Sequence, residues 1–160
     1  MQVPDLRAGP PRRWNETIDG VPWLPRLIDK TRAALNGTLG AYLYGQSPVD
    51  RSLLRVLGLG YRSLAEIVAA APDDAAVIAA IAERDPQALA RARVWGAGLG
   101  RRHRWFLTLL DIDDGYSPHL RLLRPAITAC ANAVTWTMKR IWPSRVGRGN
   151  VATAANEEAP

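Results

Sequence analysis

Apolar positions recur along this chain at spacings of three and four, the period of a helix buried on one side. Leu24, Leu27, Ile28, Thr31 and Leu35 form the first such stripe. Pro25 suits the first turn of that helix, because an N–H there would have no intrahelical acceptor. Asn36-Gly37 is a stop signal, since glycine accepts the left-handed backbone that closes many helices. A second apolar turn runs from Leu39 to Tyr44 and ends at Gly45. Ser47 or Asp50 can cap the next helix, whose Leu53, Leu54 and Leu57 face inward before Gly58. Ser63 and Glu66 have the spacing of a capping box, in which each side chain bonds the other's amide. Leu64, Ile67 and Val68 follow, up to Pro72. Asp73 opens a stripe of Val77, Ile78 and Ile81. Asp85-Pro86 opens another through Leu89 and Val94 to Trp95, and the glycines 96, 98 and 100 break it. The last stripe, Arg102 to Ile112, offers Trp105, Phe106, Leu109 and Leu110 to the core. No stretch alternates with the two-residue period of a half-buried strand. The pattern predicts an all-α fold, an irregular bundle of five to seven short helices with an extended N-terminal arm.

Residues 1–23 are that arm, rich in Pro, Gly and Arg and laid against the body by Trp14 and Trp23. Residues 24–116 are the helical domain. Residues 117–142 form an amphipathic helix that starts at Ser117-Pro118, with a kink or restart at Pro125. At about 100° per residue, Leu120, Leu123, Ile127, Cys130, Val134, Met138 and Ile141 fall on one side of it. Arg121, Arg124, Thr128, Asn132, Thr135 and Lys139 fall on the other. Residues 143–160 are small and polar, and a disordered tail is expected.

Composition narrows the class. The 160 residues, 48% hydrophobic and 22% charged, suffice for a core without disulfides. No apolar run reaches the length of a membrane span, and the N-terminus lacks a signal-type apolar segment, so a cytoplasmic protein is expected. Cys130 is the only cysteine, which excludes an intrachain disulfide and a Cys-based metal site. His103 and His119 have no partners at metal-ligand spacing. No Ser–His–Asp or Cys–His set can be assembled, so no catalytic residue, metal or cofactor is expected. The net charge of +6 invites a nucleic-acid reading, but its distribution weakens it. The chain through Tyr116 carries only +2, and the remaining +4 lies after it. Lys30 and Lys139 are the only lysines, so an arginine-rich genome-wide bias would produce the same excess.

Four segments, in order, resemble a bacterial family known as domain of unknown function 5069. They are Pro10 to Gly45, containing LPRLIDK and GTLGAYLYG; VDRSLLRVLGLGY at 49–61 with the helices after it; ARVWGAG around Trp95; and WFLTLLDIDDGY from Trp105 to Tyr116. The resemblance covers about residues 4–116, with residues 96–104 shortened and glycine-rich beside the family pattern. It implies a helical fold and supplies no catalytic residues.

Three charged groups are candidate sites. Asp29, Lys30 and Arg32, with Arg26, sit on the first helix at spacings that let them meet on one solvent-facing side. They form either a surface ion-pair ladder or an anion site in which Asp29 orients a guanidinium. Asp111, Asp113 and Asp114 stand where a helix ends, against its dipole, and need arginine side chains, the N-terminus of a neighbouring helix, a docking partner or a metal to offset them. Arginine pairing outweighs the metal, because the spacing is not that of a calcium loop. Arg91, Arg93, Arg101, Arg102 and Arg104, with Trp95 and Trp105, are the nucleic-acid candidate. The competing reading makes the tryptophans core residues and the arginines a solvated face, and it is favoured. For 118–142, packing on the body or a second chain is favoured over contact with an anionic membrane. The leading functional expectation is a non-enzymatic helical interaction module with a protein partner. A small-molecule or anion site, including an enzyme, built on the Asp/Lys/Arg cluster comes second, and weak nucleic-acid binding third.

Overall fold

A computed structural model describes residues 3–141. After irregular residues 3–16, the first regular element is a two-stranded antiparallel hairpin, β1 (Thr17–Ile18) and β2 (Val21–Pro22), in register Thr17 with Pro22 and Ile18 with Val21. Its turn is Asp19-Gly20, both at positive φ, the backbone that a two-residue hairpin loop demands. Strands of two residues are too short to show alternation, which is why the apolar pattern alone misses them. Seven helices follow: α1 (Leu24–Leu35), α2 (Pro48–Leu57), α3 (Tyr61–Ala70), α4 (Asp74–Arg84), α5 (Ala88–Ala97), α6 (Leu99–Arg102) and α7 (Arg104–Asp113). A 3-10 helix, Pro118–Leu123, then leads into α8 (Arg124–Ile141). The fold is the expected irregular helical bundle. Residues 143–160 and Trp142 lie outside the described residues.

Helix α1 is the axis. Leu24, Leu27 and Ile28 are buried against a core that includes Leu53 and Leu57 of α2, Leu64 of α3, Val77 and Ile81 of α4, Ala92 of α5, Leu99 of α6 and Leu107 of α7. Each such aliphatic side chain contributes about 1.5–3 kcal/mol on leaving water. α1 packs on α3, and α2 on α5. Gly96 permits the hairpin to join this core, because a Cβ there would stand 2.4 Å from Cδ of Pro22. Trp23 precedes α1 at φ 69°, a left-handed conformation that costs a non-glycine residue on the order of 1 kcal/mol. Burial of its indole and a hydrogen bond from Nε1 to Asp50 Oδ1 at 2.7 Å hold it there.

Several boundaries follow the local signals. Ser47 caps α2 by accepting from the Asp50 amide, and Asp73 caps α4 by accepting from the Ala76 amide at 2.8 Å. Gly58 closes α2 in the left-handed region. Other expectations give way. Ser63 lies inside α3, which starts two residues earlier at Tyr61 after Gly60 and makes no side-chain cap bond. The extended backbone of Gly60 precedes that start, and Tyr61 in the first turn packs edge-on to Tyr44 with centroids 5.2 Å apart. Leu39 to Tyr44 is a loop rather than a helical turn. Asp85-Pro86 is a turn before α5, whose first residue is Ala88. Gly96 stays within α5, and the break comes at Gly98. Trp105 is 72% exposed and Leu109 40%, while Leu107 takes the core position between them.

Helix α8 is rotated from the expected orientation. Thr128, Thr135 and Lys139, assigned to the polar side, are partly covered, whereas Leu123, Cys130, Val134 and Ile141 are exposed. Polar anchors set this rotation. Thr128 Oγ1 donates to Asp113 Oδ1 at 2.5 Å, Arg124 Nε to the Asp113 carbonyl at 3.0 Å, and Lys139 Nζ to the Gly40 carbonyl at 3.0 Å.

Candidate functional site

The charged residues of α1 do not face solvent. Arg26, Asp29, Lys30 and Arg32 are all buried. The expected surface ladder is therefore absent, and the reason lies in what covers it. The N-terminal arm lies along this side of the helix, and the ends of α2, α4 and α7 converge on it.

Each α1 charge takes a partner from one of those neighbours. Asp29 accepts from Arg12 of the arm, through the backbone N–H at 2.9 Å and Nη2 at 2.7 Å. Arg12 also reaches Asp74 at 2.6 Å, and Arg32 binds the other oxygen of Asp74 at 2.6 Å. Lys30 donates to Asp50 at 2.5 Å. Arg26 donates to Asp114 at 2.7 Å, and Tyr42 donates to the other oxygen of that carboxylate at 2.8 Å. The Arg26 guanidinium also lies 5.5 Å from the ring centroids of Trp23 and Tyr42, close enough for a cation–π contact with each. Arg13 of the arm binds Asp111 at 2.6 Å. Five cations meet five carboxylates, with Arg12 and Asp74 each serving two partners.

Helix dipoles explain half of this arrangement. Asp50 and Asp74 sit in the first turns of α2 and α4, where the positive helix end favours a carboxylate. Asp111 and Asp114 sit at the wrong end of α7. Arg13 and Arg26 compensate them, while Asp113 turns away to Thr128 of α8. Asp29 and Lys30 thus do not meet Asp113.

Burial and pairing move the titrations in consistent directions. Burial lowers the Lys30 pKa, and the attraction of Asp50 offsets only part of that. Burial also works against ionised Asp74, but hydrogen bonds from Arg12 and Arg32 outweigh it and hold its pKa below the usual carboxylate value. Burial, then the adjacent Asp114, pushes the Tyr42 hydroxyl well above its ordinary range. Trp14 Nε1 and Arg32 Nη2 are the buried side-chain donors left without an acceptor among the described residues. No group of three or more His, Cys, Asp or Glu side chains is placed to hold a metal ion among those residues.

The second arginine cluster is built differently. Arg101, Arg102, Arg104, Trp105, Thr108 and Leu109 line a shallow groove along α6 and α7, wide open to solvent. Not every nearby arginine is free to serve it. Arg91 binds Asp85 and the Val56 carbonyl, and Arg93 binds Asp19. Arg102 donates to the carbonyls of Trp95 and Gly98, closing the end of α5. The Arg101 and Arg104 guanidiniums have no partner among the described residues. Residues 86–110 contain no Asp or Glu to offset them. Trp95 is half-buried, with its N–H on Ser52 at 3.0 Å, so Trp105 alone offers a free indole here.

Sequence reasoning passed over the partners. Helical spacing does not point to Arg12, Arg13, Asp50, Asp74 or Tyr42 as site residues, although the Arg12-Arg13 pair and the cap positions of Asp50 and Asp74 are visible in the sequence.

No curated protein matches the chain. The family described as Domain of unknown function (DUF5069) matches residues 8–106. The match takes in the arm from Ala8, the buried ion pairs of α1 with Arg12, Asp50 and Asp74, and the groove as far as Phe106, and stops short of Asp111, Asp113 and Asp114. Covering more than half of the chain, it places this protein in the DUF5069 family.

Proposed function

We propose that this protein is a non-enzymatic interaction module that docks an acidic segment of a protein partner in the α6–α7 groove. In this reading the arm (1–23) and helical body (24–116) form the module, and residues 117–142 are an addition to it. The observation that carries the reading is the exposed Trp105 on the same surface as Arg101 and Arg104, whose guanidiniums have no partner among the described residues. Exposed Trp and Arg are the residue types that dominate binding energy at protein interfaces. Leu109 adds an apolar contact beside them, and the absence of carboxylates in residues 86–110 calls for an acidic partner.

A ligand site on the buried network is the weaker reading. A ligand would have to displace a buried partner, and breaking such a pair costs about 3–5 kcal/mol. Nucleic acid gains from the exposure of Trp105, since an indole can stack on a base. It loses more, because Arg91, Arg93 and Arg102 are engaged within the fold and two free cations make a short phosphate track.

A photo-crosslinking amino acid tests this. With benzoylphenylalanine replacing Trp105 in the cell of origin, discrete protein adducts should form, and Arg101→Glu with Arg104→Glu should abolish them. The same replacement at exposed Glu83 on α4 is the control. Nucleic-acid adducts, or a pattern equal to that at Glu83, would overturn the proposal.

A further inference from the structure

The outward side of α8 is unlike the rest of the surface. Residues 125–138 contain no charged side chain, although the helix lies on the outside of the fold and none of its residues is buried. Val134, Trp136 and Ile141 are among the large exposed apolar side chains, and the preceding 3-10 turn adds Leu122 and Leu123. Ala129, Cys130 and Ala133 extend this outer face, on which Asn132 and Thr137 are the exposed uncharged polar side chains. The polar anchors to Asp113 and Gly40 hold the helix in this rotation. Cations stand at both ends, Arg121 before the helix and Arg140 in its last turn, while Arg124 is held to the Asp113 carbonyl. Arg140 lies over the Trp136 ring, 5.4 Å from its centroid. Residues 117–141 contain no Asp or Glu.

We infer that α8, with the turn before it, is a docking face for an anionic bilayer surface. An in-plane amphipathic helix needs an apolar side to enter the boundary between headgroups and acyl chains, and cations to meet anionic headgroups. An exposed Trp is suited to that boundary. No helix among the described residues is long and apolar enough to cross a membrane, so the contact lies in the plane of the surface. A second copy of the chain fits less well. Two α8 helices laid face to face would set cations against cations at both ends, parallel or antiparallel, with no carboxylate on either helix to relieve them. The inference is independent of the α6–α7 groove.

Co-flotation of the full chain with vesicles of phosphatidylcholine, with and without 30% phosphatidylglycerol, tests it. The expected result is binding to the anionic vesicles alone, weakened at least tenfold by about 0.5 M salt. Val134→Glu with Trp136→Glu should lower binding at least tenfold without changing the thermal midpoint, because both side chains are exposed. Arg121→Gln with Arg140→Gln should do the same. Arg145→Gln with Arg148→Gln should leave binding within twofold. Four results would overturn the inference: no binding to anionic vesicles, equal binding to both compositions, binding that survives Val134→Glu with Trp136→Glu, or dependence on Arg145 and Arg148 alone. A dimer by light scattering that the α8 substitutions dissolve would assign the face to a second copy instead.

Discussion

Two arginine-bearing regions of this protein use the same chemistry in opposite ways. Around α1, Arg26, Lys30 and Arg32 are buried, and each meets a carboxylate from a distant part of the chain. Along α6 and α7, Arg101 and Arg104 are exposed and meet none among the described residues. The difference is made by neighbours and not by residue type. The α1 charges tie the arm and the ends of α2, α4 and α7 to one helix, so their geometry is a device for assembling the fold. The groove charges tie nothing together. If this contrast is right, substitutions around α1 should change stability strongly, and substitutions in the groove should hardly change it.

The largest effect is expected at Asp114 and Asp50. Asp114→Ala leaves Arg26 buried with no carboxylate and takes a partner from Tyr42. Asp50→Ala does the same to Lys30 and Trp23. Each should cost about 3–5 kcal/mol in urea unfolding, the range for an orphaned buried charge. A cost below about 1 kcal/mol at either site would mean that the α1 charges reach water, and the contrast would fail.

The next effect tests whether the pair stabilises the fold or merely must not be broken. Lys30→Met with Asp50→Asn removes both charges, while the amide oxygen still accepts from Trp23. The double variant should recover most of the loss seen in Asp50→Ala, because a buried ion pair is often no better than an apolar replacement. Thermal unfolding of the two single variants and the double one measures the coupling. A double variant as unstable as the worse single one would show that the pair itself stabilises the fold.

How far these regions could be read from the sequence follows the same division. Caps and stops were legible because they act within four residues: Ser47, Asp73 and Gly58 end or begin helices where expected. The Ser63 box does not form because α3 already starts at Tyr61, whose ring packs on Tyr44, seventeen residues away in sequence. The α1 charges were visible as a cluster, but their partners were not. Asp29 has Arg26 and Arg32 three residues away on either side, yet binds Arg12, seventeen residues back. Helical spacing measures proximity along one helix and carries no information about an arm laid across it. The aspartates of α7 could be seen to oppose the helix dipole, so a compensating cation was legible while its identity was not. The exposure of Trp105 was not legible either. Trp105 and Leu107 are two residues apart, and the break at His103 sets which of them faces inward.

A smaller, pH-dependent effect comes from Asp74. Its folded pKa is lowered, so the stability it contributes is present above about pH 4, the unfolded value, and is lost as pH falls through the folded value. Asp74→Asn should cost about 1–2 kcal/mol at pH 6, a modest figure because the pair is partly open to solvent. It should cost progressively less towards pH 3. Urea midpoints at pH 6 and pH 3 for both proteins decide it. Parallel loss in the two would remove Asp74 from the acid response.

The smallest stability effect is expected where the docking proposal is strongest. Arg101→Ala, Arg104→Ala and Trp105→Ala should each shift stability by no more than about 0.5 kcal/mol, the usual range for exposed positions without special contacts. Trp105 is the demanding case, because truncating a large aromatic in a core costs about 3–5 kcal/mol. At 72% exposure its ring has little contact to lose beyond the edge of Phe106, whose centroid is 6.2 Å away. A residue of this size that adds almost nothing to the isolated fold is free to be used elsewhere, so a near-zero result keeps the groove available to a partner. A loss above about 2 kcal/mol would show instead that Trp105 packs into the protein, and the two arginine regions would no longer differ in kind.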